Sequence, residues 1–279
     1  MRRRLVLTCT VLMGGAVLAA CGGDKDPTPV AVTITQAGGG GALTMSAPDS
    51  VESGAVEIRF QNQAQGPSRL ELIGVEGTHT ADEILEVIQS DGGPIPAWFK
   101  PAGGVGATGP GQTATATVEV DEGTYFLIGE VDSEDDSEPA PATKMLMATG
   151  DGGASLPSAD TTITAKEYVF EVGELKAGAN EVRFQNDGKE IHILVAARMA
   201  PGKTIDDVRA ALAAEGEPEG PPPLDFDSAV DTGVLDAGKS LVTTLNLKSG
   251  KYAFICFIQD RAGGPPHAAK GMLQEVTIA

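Results

Sequence analysis

Apolar and polar positions alternate along most of the chain, in short runs separated by Gly, Pro, Asp and Asn. A period of two is typical of β-strands with one buried face. In the second half of the chain, the runs that show it are 180–185, 191–196, 241–247 and 252–258. Helical spacing occurs in TIDDVRAALAAE, where Thr204 can cap a helix together with Asp207, and Val208 and Leu212 share a face. The pattern predicts an all-β fold with a short helix.

The pattern occurs twice. VEIRFQN (56–62) recurs as NEVRFQN (180–186), and TADEILEVI (80–88) aligns with TIDDVRAAL (204–212), both at an offset of 124. GTYFLIG (123–129) recurs as GKYAFIC (250–256) at an offset of 127. The first copy keeps the helix cap as Thr80 and Glu83. The chain is therefore predicted to be a tandem duplication of β-sandwiches, each with a helix inserted between its middle strands.

The N-terminus has the composition of an export signal. Three arginines precede an apolar run that is too short for a comfortable transmembrane helix. The run ends in Leu-Ala-Ala-Cys21, which resembles the lipobox of bacterial lipoproteins. The resemblance implies cleavage after residue 20, lipidation of Cys21 and attachment to the outer face of the cell membrane. An uncleaved anchor and plain secretion are the alternatives.

Composition predicts the domain boundaries. Residues 1–20 are the predicted signal and 21–30 a polar tether. Residues 31–148 and 159–279 are the two sandwich domains, joined by the Gly- and Ser-rich linker 149–158.

The charge of the chain is strongly acidic. Removal of the signal leaves 17 basic against 39 acidic side chains, a formal charge of −22. A nucleic acid is excluded as a partner because phosphate binding requires the opposite sign. The acidic surface can attract a cationic redox partner, or it can simply keep an exported protein soluble.

Cysteine content draws attention to one segment near the C-terminus. Cys9 leaves with the signal and Cys21 carries lipid, so Cys256 is the one remaining thiol and no intramolecular disulfide can form. In an oxidising compartment such a thiol is expected to be buried or bound to a metal. It lies in CFIQDRAGGPPHAAKGM with His267 and Met272, and His192 follows an Asn-Asp-Gly turn in NDGKEIH.

These segments, with the closing strand QEVTI, resemble the cupredoxins, in particular plastocyanin-like blue copper proteins. The resemblance implies two cupredoxin-like Greek-key β-sandwiches and one copper ion in the second domain. It also implies the ligands: His192, Cys256 and His267 in a trigonal plane, with Met272 as a weak axial ligand. Ten residues separate Cys256 from His267, where plastocyanins have two.

The first copy lacks most of this set. The offsets align Ser68 or Arg69 with His192, Gly129 with Cys256, Ala140 with His267 and Met145 with Met272. The first domain is therefore predicted to be a degenerate, structural or docking copy. Because ten residues also separate Gly129 from Ala140, the long loop is predicted to belong to the shared fold.

Three functions remain open at this stage. They are one-electron transfer with an unknown redox partner, buffering or delivery of copper to a copper-handling partner, and a metal-free interaction domain. The sequence predicts no enzyme, because no nucleophile with its base, paired-carboxylate site or phosphate-binding loop stands out. His79 is predicted to be a surface residue.

Overall fold

The structure is a computed structural model that describes residues 25–38, 40–90, 92–132, 139–150, 152–214 and 220–279. The predicted signal and Cys21 lie outside these residues. Within the described part of the chain, no helix combines the length and the apolar character needed to cross a membrane.

The described residues of the first repeat form nine strands and one helix. They are β1 (Thr28–Gln36), β2 (Leu43–Ser46), β3 (Ser50–Glu52), β4 (Gly54–Gln63), β5 (Ser68–Val75), α1 (Ala81–Gln89), β6 (Phe99–Thr108), β7 (Thr113–Val120), β8 (Gly123–Val131) and β9 (Ala142–Thr149).

The second repeat has a similar order, with a short 3-10 helix before its last strand. Its elements are β10 (Thr161–Lys166), β11 (Val169–Val172), β12 (Gly178–Asn186), β13 (Val195–Met199), α2 (Ile205–Ala213), β14 (Leu224–Asp231), β15 (Ser240–Leu247), β16 (Gly250–Ile255), the 3-10 helix (His267–Lys270) and β17 (Leu273–Ile278). The all-β prediction and the inserted helices are confirmed.

One sheet of eight strands runs through both repeats, in the order β11-β10-β12-β15-β7-β4-β1-β2. The repeats join where β7 and β15 pair antiparallel, with Val118 opposite Leu241 and Ala116 opposite Thr243. Two smaller sheets, β3-β9-β8-β5-β6 and β14-β13-β16-β17, complete the sandwiches. Edge-to-edge pairing satisfies the main-chain groups that two separate sheets would leave open at their edges.

The cores lie between the large sheet and each smaller sheet. Phe60 of β4 and Leu127 of β8 are fully buried in the first sandwich, and Phe184 of β12 and Phe254 of β16 in the second. These side chains point inward because alternate residues of a strand face the same side. The apolar alternation seen in the sequence is thus the inner face of each sheet.

The repeated RFQN motif places a buried asparagine at the end of the same strand in both copies. Asn62 and Asn186 are both fully buried. Each side-chain Nδ2 donates to the carbonyl four residues later, on Gly66 or Glu190, and each Oδ1 accepts from the amide two residues later. The asparagine therefore closes the turn that follows the strand.

The helices begin as the sequence predicts. Thr80 accepts from the Glu83 amide and Thr204 from the Asp207 amide, and both acidic side chains bond back to the cap. Val208 is fully buried, whereas Leu212 is 40% exposed. Val208 is the one buried residue of α2, and Leu212, one turn later on the same face, lies partly over solvent.

One sequence prediction in the second repeat needs correction, and the predicted linker has contacts that its composition did not indicate. The predicted strand 191–196 is mostly irregular, since β13 begins at Val195 and His192 forms an isolated bridge with Leu235. The described part of the predicted linker is held against the first repeat, because Gly152 donates to the Ser53 carbonyl and Ala55 donates to the Ala154 carbonyl.

A carboxyl group of the first repeat forms a second connection between the two repeats. Glu71 of β5 accepts a hydrogen bond from the Val234 amide at 2.9 Å. Burial raises the pKa of Glu71 to about 8; Asp231 and Glu130 add to the rise, while the Val234 amide and Arg69 oppose it. Glu71 therefore takes up a proton on folding at neutral pH.

This proton uptake predicts a pH dependence of stability. Because the folded pKa lies above the unfolded value, the Glu71 contribution is full below pH 4.5 and is lost as pH rises through about 8. As pH rises between these two values, the unfolding free energy of the wild type is expected to fall relative to that of Glu71→Gln, by up to about 1.4 kcal/mol per pH unit. Urea unfolding at several pH values measures it. A constant difference between the two proteins would contradict the prediction.

Candidate metal centre

His192 lies in an irregular segment that is fixed at both ends. Asn186 holds the preceding turn, and its Nδ2 also donates to the Leu235 carbonyl at 3.0 Å. The His192 amide donates to the same carbonyl, and the Leu235 amide donates back to His192. The imidazole is fully buried. The main chain of His192 is therefore held by the Leu235 bridge although no strand contains it.

Cys256 directly follows β16, and His267 begins the 3-10 helix. The Cys256 amide donates to the Met272 carbonyl, and the Ala268 amide donates to the Cys256 carbonyl. His267 donates to Ile258, and Met272 donates to His267. Residues 257–271, named the ligand loop below, thus fold back so that His267 returns to the thiol. Cys256, His267 and Met272 are all fully buried.

Three donor atoms meet at one point. His192 Nδ1 lies 3.8 Å from Cys256 Sγ, His267 Nδ1 lies 3.5 Å from it, and the two Nδ1 atoms are 3.2 Å apart. A point equidistant from the three lies about 2 Å from each, close to the bonds of about 2.0 Å and 2.3 Å that imidazole and thiolate make with a zinc-sized ion. Among the described residues, these three form the one cluster of such ligands.

The remote nitrogens of the imidazoles face carboxylates. His267 Nε2 lies 3.0 Å from Asp260 Oδ1, so in the neutral ring it donates there and leaves the Nδ1 lone pair toward the cluster. His192 Nε2 lies 3.8 Å from Glu167 Oε1 and has no hydrogen-bond partner among the described residues.

Burial keeps both imidazoles neutral. It lowers the pKa of His192 to about 4, and the neighbouring His267 adds to the effect. Burial also lowers the pKa of His267, against the opposing pull of Asp260. A neutral imidazole is the form that binds a metal. The cluster therefore presents two lone pairs at neutral pH.

The thiol needs a cation to lose its proton. Burial raises the pKa of Cys256 to about 11, although hydrogen bonds from the Ile193 and Ile258 amides oppose the rise. A bound metal ion would supply the positive charge that such a thiol needs to lose its proton. The Ile193 and Ile258 amides would then stabilise the thiolate.

A further network covers His267, and the sequence did not reveal it. Tyr168 lies against the His267 ring, with centroids 5.0 Å apart, and its hydroxyl donates to Asp260 Oδ1 at 2.9 Å. Lys270 donates to Asp260 Oδ2. Asp260 lies inside the CFIQDRAGGPPHAAKGM segment, where its place between two candidate ligands could have indicated its role. Tyr168 carries no comparable signal.

Two side chains of the first repeat fill the place that corresponds to the Cys256 side chain. A Cβ atom on Gly129, which aligns with Cys256, would lie 2.0 Å from Ile34 Cδ1 and 2.9 Å from Met45 Cε. Leu70 pairs with Gly129, and Val195 pairs with Ile255, the residue before Cys256. By this register Leu70 corresponds to Leu194. Two residues earlier in each segment, Ser68 therefore corresponds to His192.

The alignment of Met145 with Met272 is wrong. Gly129 pairs with Ala142, as Cys256 pairs with Met272, so Ala142 is the structural equivalent. Met145 is 54% exposed, whereas Met272 is fully buried. The connection from Cys256 to Met272 is therefore three residues longer than the connection from Gly129 to Ala142. Both repeats have a long connection at this place, and its length differs between them.

His79 is partly buried, contrary to the surface prediction. Its ring stacks on Trp98 with centroids 3.8 Å apart, and Nδ1 lies 3.6 Å from Glu83.

Comparison with known proteins gives structural likenesses alone. No family profile and no curated protein matches the sequence. Reduced auracyanin from the photosynthetic bacterium Roseiflexus castenholzii is 24% identical over 44% of this chain and 99% of its own, with a TM-score of 0.29. Auracyanin B is 21% identical over 44% and 91%, with a TM-score of 0.28. A copper-containing nitrite reductase from Thermus scotoductus is 12% identical over 91% of this chain and 62% of its own, with a TM-score of 0.23.

The described residues thus form an all-β structure in which His192, Cys256 and His267 can hold a copper ion, because two imidazoles and a thiolate are the equatorial ligands of a blue-copper site.

Proposed function

We propose that this protein binds one copper ion in its second repeat and transfers single electrons. The observation that supports the proposal is the convergence of two imidazole nitrogens and one thiol on a point about 2 Å from each atom. A bound copper ion would supply the one-electron redox chemistry. His192, Cys256 and His267 would hold it, and Met272 is proposed as the axial ligand.

The chain's own residues favour electron transfer over catalysis. All three donors are fully buried, so a substrate has no direct route to an open ligand position. Asp260 fixes the His267 tautomer, and the Ile193 and Ile258 amides fix the sulfur. A site held in one geometry needs little rearrangement between the two oxidation states. We therefore propose an electron carrier and not an enzyme.

Location and partners follow from the sequence. The lipobox-like segment supports lipidation of Cys21 and attachment to the outer face of the cell membrane. The acidic chain supports an encounter with a cationic redox partner and argues against nucleic acid. Residues 31–148 and 159–279 are proposed as the two domains.

Copper delivery is the second candidate, and redox cycling separates it from electron transfer. The chain without residues 1–20 and without lipid is named the soluble portion below. When loaded with copper, it is expected to keep its copper through repeated reduction and reoxidation in the presence of a competing Cu(I) chelator. The reason is that the donors are buried in a hydrogen-bonded loop. Loss of copper to the chelator in the first reduction would favour delivery.

A further inference from the structure

The ligand loop is attached to the first repeat as well as to its own sandwich. Its partner is the anchor segment, residues 92–99, which connects α1 to β6. The Ile95 amide donates to the Arg261 carbonyl at 2.8 Å, and the Gly264 amide donates to the Gly92 carbonyl at 3.2 Å. Gln259 Nε2 donates to the Gly93 carbonyl at 3.3 Å. Main-chain and side-chain bonds thus hold the loop along the anchor segment.

The Arg261 side chain donates three hydrogen bonds in this region. Its Nη1 donates to the Pro96 carbonyl and its Nη2 to the Phe99 carbonyl, both at 3.0 Å. Nη2 also donates to Asp236 Oδ1 at 2.7 Å. The side chains of Arg261 and Asp236 are 21% and 12% exposed. A planar guanidinium donates to several acceptors at once in fixed directions. The ammonium group of a lysine has no such rigid set of donors.

Arg261 is linked through its neighbours to both His192 and His267. Asp260, its neighbour, holds His267 Nε2. The Arg261 amide donates to Glu190 Oε2 at 2.6 Å, two residues before His192. Asp236 follows Leu235, whose main chain is bonded to His192. A displacement of Arg261 would therefore reach both imidazoles.

The main chains of the ligand loop and the anchor segment approach each other closely at Gly263. Gly263 has φ +85°, and a Cβ atom there would lie 2.8 Å from the Gly92 carbonyl oxygen. A left-handed glycine at this point lets the loop turn against the anchor segment without a steric clash. The ligand loop, which is three residues longer than its counterpart, is thus the connection that reaches the first repeat.

We propose that the first repeat acts as the scaffold that positions the ligand loop, with Arg261 as the positioning residue that transmits this order to His192 and His267. The metal-free first repeat would then have a role in the centre without contributing a ligand. The copper part of the proposal rests on the proposed function, whereas the ordering of the loop does not.

Two measurements on the full soluble portion test this role. In the metal-free protein, Arg261→Ala is expected to increase hydrogen exchange at the His267, Ala268 and Met272 amides, whose hydrogen bonds close the ligand loop. In the same variant, titration with Cu(II) sulfate is expected to show at least a tenfold weaker affinity and a shifted visible spectrum. Arg261→Lys should recover part of both effects, because it keeps the charge opposite Asp236.

Arg183→Ala is the matched control. Arg183 also donates to a main-chain carbonyl, that of Pro157, and among the described residues no hydrogen bond or ion pair joins it to the ligand loop. Exchange and copper affinity in Arg261→Ala equal to those of this control would overturn the proposal. If Arg261→Ala does not fold, Gly263→Ala perturbs the contact of the same loop with the same anchor segment, at Gly92, and unchanged exchange there would also overturn the proposal. If no variant binds copper, the exchange measurement still decides the role of the first repeat.

Discussion

Replacing Cys256 with serine is expected to abolish the intense visible absorption of the Cu(II)-loaded protein and to weaken copper binding at least a hundredfold. The absorption of such a centre arises from charge transfer between thiolate and copper, and a neutral hydroxyl is a much poorer ligand for copper. Cys256 is fully buried and its sulfur lies 3.5 Å from His267 Nδ1 and 3.8 Å from His192 Nδ1. Visible spectroscopy and competition with a chelator measure the two effects.

The metal-free variant provides the control for this substitution. Serine is close to cysteine in shape, and its oxygen can accept the hydrogen bonds that the Ile193 and Ile258 amides give to sulfur. The unfolding free energy of the metal-free protein should therefore change by less than about 2 kcal/mol. A variant that keeps the absorption would show that Cys256 is not a copper ligand.

Asn186→Ala is expected to destabilise the protein by about 2–4 kcal/mol and to weaken copper binding by at least tenfold. Its Nδ2 donates to the Glu190 and Leu235 carbonyls, and its Oδ1 accepts from the Gly188 amide. Alanine would leave these buried groups without a partner. Leu235 is also bonded to the His192 main chain, so the imidazole is expected to lose its fixed position.

The repeat supplies a matched control for this prediction. Asn62→Ala removes the same kind of turn in the first repeat, where Nδ2 donates to Gly66 and Thr108 and Oδ1 accepts from Ala64. It should cost a similar free energy of unfolding and leave copper affinity unchanged, because no candidate ligand follows it. Chemical denaturation and copper titration of both variants separate the loss of stability from the loss of the site. Equal copper affinities would contradict the assigned role of Asn186.

The internal repeat and the order of candidate ligands made much of this molecule predictable. Alternation of apolar residues predicted the strands, because alternate side chains in a strand face the core. The order His, Cys, His along the chain predicted the cluster. Cys256 directly follows β16 and His267 lies shortly before β17, so the pairing of these two strands brings both residues to the same end of the sheet.

The features that the sequence did not predict depend on contacts that residue type does not indicate. The edge pairing of β7 with β15 is made by main-chain groups, which every strand possesses. Arg261 binds mainly carbonyl groups of residues 92–99, so its partners carry no signature in the sequence. The alignment of Met145 with Met272 was wrong because loop length differs between the repeats, and strand register revealed it.

Titration of the metal-free soluble portion with Cu(II), followed by visible absorption, tests the central claim most directly. The geometry of His192, Cys256 and His267 predicts an intense visible band that grows linearly and stops at one copper ion per chain. A titration that produces no such band, while copper remains unbound or binds with weak absorption alone, would contradict the assignment of these three residues as a blue-copper centre.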